Sequence, residues 1–223
     1  MGMRIALLGG TGDIGQGLAL RWARDSNHDI VIGSRDPAKA RESAETYESD
    51  LEAVGHDRKL TGFENAMAAD RADVAVLAVP AYHVADTVEA VADRLDDTVL
   101  VTPAVGIGRD EDGFHYNPPP TGSVAALAAD NAPDGVPIVG AFHNLAAGRL
   151  IDLDATFDWD TPVFGDDADA KATVTGLADD IEGVRAVDAG GLANAAEVES
   201  LTPLLINLAS ENDDLHDLGV KFW

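Results

Sequence analysis

Residues 4–15 read Arg4-Ile5-Ala6-Leu7-Leu8-Gly9-Gly10-Thr11-Gly12-Asp13-Ile14-Gly15, and this stretch decides the fold. A short apolar run ends in Gly10-x-Gly12-x-x-Gly15 and passes into a helical pattern from Ile14 to Ala23. Strand, tight glycine turn and helix, in that order, form the dinucleotide-binding fingerprint. In such a turn Gly10 permits the bend, Gly12 lets the backbone approach a pyrophosphate, and Gly15 lets helix and strand pack closely. The first helical turn, with Asp13 and Ile14, offers backbone N–H groups to phosphate oxygens because they have no intrahelical acceptor.

The next strand, Asp29 to Gly33, tells which dinucleotide. An NAD site places Asp or Glu about 20 residues after the glycines, to bind the ribose 2′-hydroxyl. Here Ser34 and Arg35 hold that place, and a hydroxyl beside a cation suits a 2′-phosphate. Lys39 falls one helical turn later, within reach of the same phosphate. Asp36-Pro37 reads as a helix start, with Asp as N-cap and Pro at the first helical position. The sequence therefore predicts NADP(H) rather than NAD(H).

Composition narrows the partners. The chain of 223 residues carries a formal net charge of −25, with 29 of its 40 acids Asp and only 4 of its 15 basic residues Lys. A surface this negative repels nucleic acid and anionic lipid. The acids are spread along the whole chain, which predicts a salt-adapted, halophilic protein whose solvent screens the repulsion, rather than a docking face for a basic partner. Cysteine is absent, so disulfides, thiolate catalysis and Cys-ligated metals are excluded. No apolar leader and no apolar run of membrane-spanning length stand in the sequence, which predicts a cytoplasmic protein.

Strand-like runs at 4–8, 29–32, 73–79, 98–102, 137–142, 162–164 and 184–187 alternate with helical patterns at 13–25, 37–53, 84–95, 121–130, 167–181 and 194–212. Such alternation predicts an α/β fold: a doubly wound, Rossmann-type parallel sheet with a small C-terminal extension. Residues 74–79 are apolar throughout, as a central strand should be. Pro80, Pro103 and the segment after Phe142 follow strand ends, where such sheets bind ligands. Residues 109–120 form the one irregular excursion. A soft boundary near Gly148 divides a nucleotide-binding domain (1–147) from a smaller one (148–223). The apolar tail 219–223 is expected to pack on the body.

Acid–base machinery is sparse. His-Glu-x-x-His, Gly-x-Ser-x-Gly and Walker A motifs are absent, and the six histidines lack metal-ligand spacing. No catalytic residue and no metal ligand is assigned. His83 and His143 follow strands on the ligand side and could touch substrate. A chain so equipped suits hydride transfer, in which the coenzymes carry the chemistry and the protein holds two rings together.

Further motifs carry a resemblance. They are Ala-Val-Leu-Ala-Val-Pro (75–80), Phe-Asp-Trp-Asp (157–160), Val163-x-Gly165-Asp166-Asp167, Asp188-Ala189-Gly190, Glu-Ser-Leu-Thr-Pro (199–203) and the terminal Leu-Gly-Val-Lys-Phe (218–222). With the glycine turn and Gly33-Ser34-Arg35, they resemble the F420H2:NADP oxidoreductases, which move hydride between NADP(H) and the deazaflavin coenzyme F420. The resemblance runs from Met3 to Trp223 and implies the following. Thr11, Ser34, Arg35 and Lys39 hold the 2′-phosphate, and Gly12 and Gly15 serve the pyrophosphate. Val79, Pro80 and Ala81 line the nicotinamide side. His143, Leu145 and Ala147 lie where nicotinamide meets deazaflavin, while Ser200, Thr202 and Leu218 contact coenzyme F420. The C-terminal domain closes the deazaflavin site, and the protein is a homodimer. Where the family has Thr, an apolar residue and Pro-Ala after its histidine, this chain has Asn144-Leu145-Ala146-Ala147. After Pro80 stands Ala81, with the aromatic Tyr82 next. Two rivals stay open on the same fold: an NADPH-dependent reductase of another acceptor, such as an imine or ferric ion, and a non-catalytic NADP(H) sensor.

Overall fold

The computed structural model describes residues 2–223. An eight-stranded sheet forms its spine, in the order β10-β9-β8-β5-β4-β1-β2-β3. The strands are β1 (Arg4–Leu8), β2 (Asp29–Ser34), β3 (Thr61–Glu64), β4 (Val74–Leu77), β5 (Val99–Thr102), β8 (Ile138–Gly140), β9 (Trp159–Gly165) and β10 (Val184–Asp188). From β3 across to β8 every neighbour is parallel. β1 pairs with β2 on one side and β4 on the other, so the direction of winding reverses between β1 and β4. Ligands enter such sheets at this switch point, beyond the carboxyl ends of the strands.

The alternation within β1 shows why helices cover both faces. Ile5 and Leu7 pack with Leu18 and Trp22 of α1 (Asp13–Asp25), Tyr47 of α2 (Pro37–Ala53) and Leu177 of α7 (Ala168–Asp179). Ala6 and Leu8 pack the other way, with α3 (Asn65–Ala69), α4 (Val84–Val91) and α5 (Val124–Asn131). All four residues of β4 are buried, as the apolar run predicts.

Local signals set the helix bounds. α1 and α2 begin and end where the sequence places them. Asp36 caps α2 by accepting from Ala38 N at 2.9 Å, and Pro37 takes the first position, where no N–H is needed. α5 starts later than expected, because Ser123 caps it through Ala126 N.

Several expectations are corrected. The sheet is not wholly parallel: β9 runs antiparallel to β8, and β10 then pairs parallel with β9. The excursion at 109–120 holds part of an antiparallel hairpin, β6 (Ile107–Asp110) and β7 (Gly113–Tyr116). The single helix at 194–212 is a short 3-10 turn followed by α8 (Ala195–Glu199) and α9 (Leu201–Glu211), with the break at Ser200. β3, α3 and α6 (Ala147–Ile151) were not foreseen. The positive φ of the glycine turn falls on Gly9, at 77°, not on Gly10. Gly10 is required for packing instead, because an added Cβ would lie 2.7 Å from Leu7 Cβ.

Candidate functional site

Two clefts open near α1. The first, of about 400 Å³, lies at the switch point. Thr11, Gly12, Ser34, Arg35, Lys39, Val79 and Pro80 line it. Gly10 and Gly15 lie buried beneath, and an added Cβ at Gly15 would stand 2.5 Å from Gly10 Cα. Gly12 is different: its Cβ would meet only the Gly9 carbonyl, at 3.9 Å. The fold leaves room over Gly12, while no side chain caps the helix start there. Asp13 and Ile14 form that first turn. The result is a cradle of free N–H groups at the positive end of a 13-residue helix.

Residues that sequence reasoning missed hold the cradle's shape. Tyr47 on α2 donates its hydroxyl to Gly10 O at 3.0 Å, and Asn65 Oδ1 accepts from Gly9 N at 3.2 Å. Both contacts span long sequence distances and leave no local signal. Arg35 and Lys39 are exposed, and among the described residues neither makes an ion pair. In a chain of net charge −25, Arg35 and Lys39 bring two unpaired cations to the anion cradle, on a cleft that Asp36, Glu64 and Asp86 also line. Asp36 stays committed to its helix cap.

Ala81 turns away from this cleft. It opens a 3-10 turn and borders a groove shared with Tyr82, Ile107 and Pro118.

The second cleft, of about 440 Å³, is built from three distant segments. His143, Leu145 and Ala147 line it from the loop after β8, Thr202 from the start of α9, and Leu218 from the C-terminal tail. Sequence reasoning missed Leu205, Ile206, Ala209 and Asp217, which with Asn144 complete much of its wall. Ser200 does not line it; its hydroxyl donates to Glu197 O at 2.7 Å.

Backbone geometry aims the loop. Phe142, buried at the strand end, has a φ of 68°, a left-handed conformation costly for a bulky residue. Its ring packs edge-on against Trp22 of α1, and its N–H donates to Thr161 Oγ1 at 3.1 Å. His143 follows, stacked on Phe164 with ring centroids 5.4 Å apart. Thr202 Oγ1 donates to the His143 carbonyl at 2.7 Å and so ties α9 to the loop. Both ring nitrogens of His143 are buried without a protein partner. Burial lowers its pKa to about 3, so the imidazole is neutral at physiological pH.

α1 joins the two clefts. Its Gly17 lies against α6, where an added Cβ would stand 2.5 Å from Leu150 Cβ. Arg21, fully buried, donates to the carbonyls of Arg149, Leu150, Asp152 and Ala155. Its guanidinium lies 4.3 Å over Phe157. The helix that presents the cradle therefore also carries α6, whose first residue, Ala147, borders the second cleft. His83 lies at the edge of the first cleft. Among the described residues no cluster of His, Asp or Glu is placed to hold a metal ion.

Sequence comparison agrees with this layout. The family described as NADP oxidoreductase, coenzyme F420-dependent, matches residues 4–106. The F420-dependent NADP reductase of Methanocaldococcus jannaschii is 40% identical over 210 residues, 92% of either chain. That of Methanothermobacter marburgensis is 40% identical over 223 residues, covering 98% of this chain and 97% of its own. A crystal structure from Arthrobacter sp. FB24, assigned to the F420-dependent NADP-reductases, superposes with a TM-score of 0.81 at 26% identity over all of both chains. A pyrroline-5-carboxylate reductase from Coxiella burnetii, 18% identical with a TM-score of 0.62, shares the fold over 95% of this chain and 68% of its own. With 40% identity sustained from one end of the fold to the other, the chain belongs to the coenzyme F420-dependent NADP oxidoreductase family.

Proposed function

We propose that this protein transfers a hydride between NADP(H) and coenzyme F420, with NADP(H) in the glycine-turn cleft and the deazaflavin in the second. The observation that carries the substrate pair is the 40% identity to F420-dependent NADP reductases along nearly the whole chain. Each coenzyme supplies its own redox chemistry, the nicotinamide C4 giving or taking the hydride and the deazaflavin C5 exchanging it. The chain binds and orients. Arg35, Lys39, Ser34 and Thr11 hold the 2′-phosphate, and the N–H groups of Asp13, Ile14 and Gly15 hold the pyrophosphate, which Gly12 lets approach. Val79 and Pro80 border the nicotinamide, and Ala81 acts only through the 3-10 turn it opens behind them. His143, Leu145, Ala147, Thr202 and Leu218 belong to the deazaflavin side, and Ser200 marks the helix break behind them. A neutral, buried His143 has no proton to give near pH 7, which supports direct transfer without a general acid from the protein. Solvent balances the proton.

The assay mixes purified protein and NADPH with coenzyme F420, FMN, an imine or ferric ion in parallel. Loss of deazaflavin absorbance with F420 alone is expected. Turnover of another acceptor at a higher kcat/KM would establish the rival reductase, and no turnover at all would establish the sensor.

We also propose a homodimer with no nucleic-acid or membrane partner, acting in the cytoplasm. Residues 1–147 would serve as the nucleotide-binding domain and 148–223 would close the deazaflavin site. The exposed Leu204 and Leu208 of α9 offer an uncharged face for a second copy, which sedimentation would detect. No described helix is long and apolar enough to cross a membrane. The −25 charge supports halophilic adaptation. Acids sit closer together in the folded than in the unfolded chain, and screening shortens from about 30 Å at 0.01 M salt to about 3 Å at 1 M. The melting temperature should therefore climb steeply between dilute buffer and molar KCl. An unchanged value would reject the adaptation and favour a basic protein partner.

A further inference from the structure

The end of the chain is a strap laid across the start of β9. It leaves α9 through Asp217, whose φ of 46° turns the backbone left-handed. Asp217 and Leu218 border the second cleft. Gly219 lies flat on the Trp159 indole, so close that an added Cβ would fall 2.1 Å from the ring. Val220 then forms an antiparallel bridge with Asp160, accepting its N–H at 2.7 Å. This place beside β9 is free because β8 pairs only with Phe164 and Gly165. Pro162, which has no N–H to give, faces the gap between the two partners.

Asp160 stands where strap and cleft meet, and it is fully buried. Its carboxylate accepts from Arg185 Nε at 2.8 Å, Arg185 Nη2 at 2.6 Å and Phe222 N at 2.6 Å, with Lys221 Nζ at 3.3 Å. Arg185 completes the clasp by donating to Phe222 O at 2.8 Å. The other side of Asp160 serves the opposite wall: its carbonyl accepts from Asn144 Nδ2 at 2.7 Å. Asn144 Oδ1 in turn accepts from Thr161 Oγ1 at 3.1 Å. A buried carboxylate is costly unless fully paired. Here every partner of the side chain comes from the strap or from Arg185, the residue that grips it. Nothing in this network touches the glycine-turn cleft.

We propose that Asp160 is a positioning residue for the deazaflavin coenzyme: through Asn144 and the C-terminal strap it sets the spacing between the two walls of the second cleft. This rests on the assignment of that cleft to coenzyme F420. Asn144 is therefore the near end of the clasp.

Three variants test it in the full-length enzyme: Gly219→Ala, which the Trp159 ring excludes from its seat; deletion of residues 220–223; and Asp160→Asn. Deletion of Trp223 alone, which is wholly exposed, is the control. Leu205→Trp, which fills the cleft, checks the site itself. The readouts are KM and kcat for F420 at saturating NADPH, and NADPH affinity without F420. Expected is a fall in kcat/KM for F420 of about ten- to hundredfold, the scale of a misplaced reactant. KM should carry it, with NADPH affinity and the Trp223 control unchanged. Should Asp160→Asn fail to fold, Gly219→Ala and the deletion decide. An unchanged KM in both, with a raised KM in Leu205→Trp, overturns the positioning role and keeps the site. Parallel losses for NADPH and F420 would make the strap merely structural and also overturn it. If Leu205→Trp leaves the F420 KM unchanged, the site assignment fails and the proposal with it.

Discussion

The two clefts are built by different means. The glycine-turn cleft is backbone: free N–H groups, a left-handed Gly9 and glycines whose missing side chains make room. Its charged fingers, Arg35 and Lys39, come from the next βα unit. The second cleft is side chain, an apolar hollow whose walls come from residues 143–147, 202–210 and 217–218. The direct hydrogen bond joining its first two walls is Thr202 to the His143 carbonyl. A site made of backbone is written in a dozen consecutive residues. One made of packed side chains exists only once the chain has folded.

The largest effect should come from breaking the backbone cleft. Gly15→Ala places a methyl 2.5 Å from Gly10 Cα, where only backbone could yield. Overpacking of roughly 3 kcal/mol would cost NADPH affinity about a hundredfold or more, while F420 binding changes little. Gly12→Ala sharpens the point, because its methyl meets no protein neighbour nearer than 3.9 Å. Melting should be unchanged and NADPH binding weakened. Full NADPH affinity in Gly12→Ala would mean that no pyrophosphate lies over that turn.

Next in size is Arg35→Ala. Loss of a charge-assisted bond to phosphate should raise the apparent KM for NADPH about ten- to hundredfold and leave NADH almost untouched. Lys39→Ala should act in the same sense but more weakly, as a mobile point charge does. Equal losses for NADPH and NADH in steady-state assays would remove the phosphate clamp from both residues.

Gly17→Ala, two residues along the same helix, tests whether the clefts can be separated. Its methyl would press on Leu150 of α6, not on the glycine turn. The F420 KM should rise about tenfold, as overpacking of 1–3 kcal/mol implies, with NADPH affinity within about twofold. A matched loss for both coenzymes would show that α1 moves as one rigid unit beneath the two clefts.

This contrast also explains what the sequence could say. α1 and α2 were readable to the residue because glycine, Asp36 and Pro37 punctuate them. The first cleft's lining was readable for the same reason, apart from Asn65 and other residues brought in by tertiary contact; the buried Tyr47 that supports it from behind was not. Pro203 carried an overlooked signal. It is the third residue of α9, where a missing N–H costs nothing, and so it marks a helix beginning near Leu201 rather than one continuing from 194. The hairpin at 107–116 has short strands, two glycines and exposed acids, which give no alternation to read. The reversal of β9 and the place of Asn144 depend on partners far away in sequence, and no local pattern holds them.

His143→Ala should have the smallest effect on turnover and says most about mechanism. The imidazole is buried, stacked on Phe164 and neutral, so its loss removes a surface for a ring and not a proton donor. kcat should fall by no more than about tenfold, and the pH–rate profile between pH 6 and 8 should keep its shape; a drop beyond about 10³-fold with a vanished limb would make it a general acid. Stability gives an independent check with a definite sign. Below pH 6.5 the unfolded chain binds a proton at this position, while the folded chain, with a pKa of about 3, does not. The parent therefore loses up to about 1.4 kcal/mol per pH unit as pH falls from 6.5 toward 3, and this cost is absent above 6.5. The alanine variant escapes it. Between pH 7.5 and 4.5 it should gain roughly 2–3 kcal/mol relative to the parent in denaturant titrations at constant salt. If the two stabilities instead run parallel across that range, His143 takes up its proton in the folded protein, and the neutral ring that supports direct hydride transfer is lost.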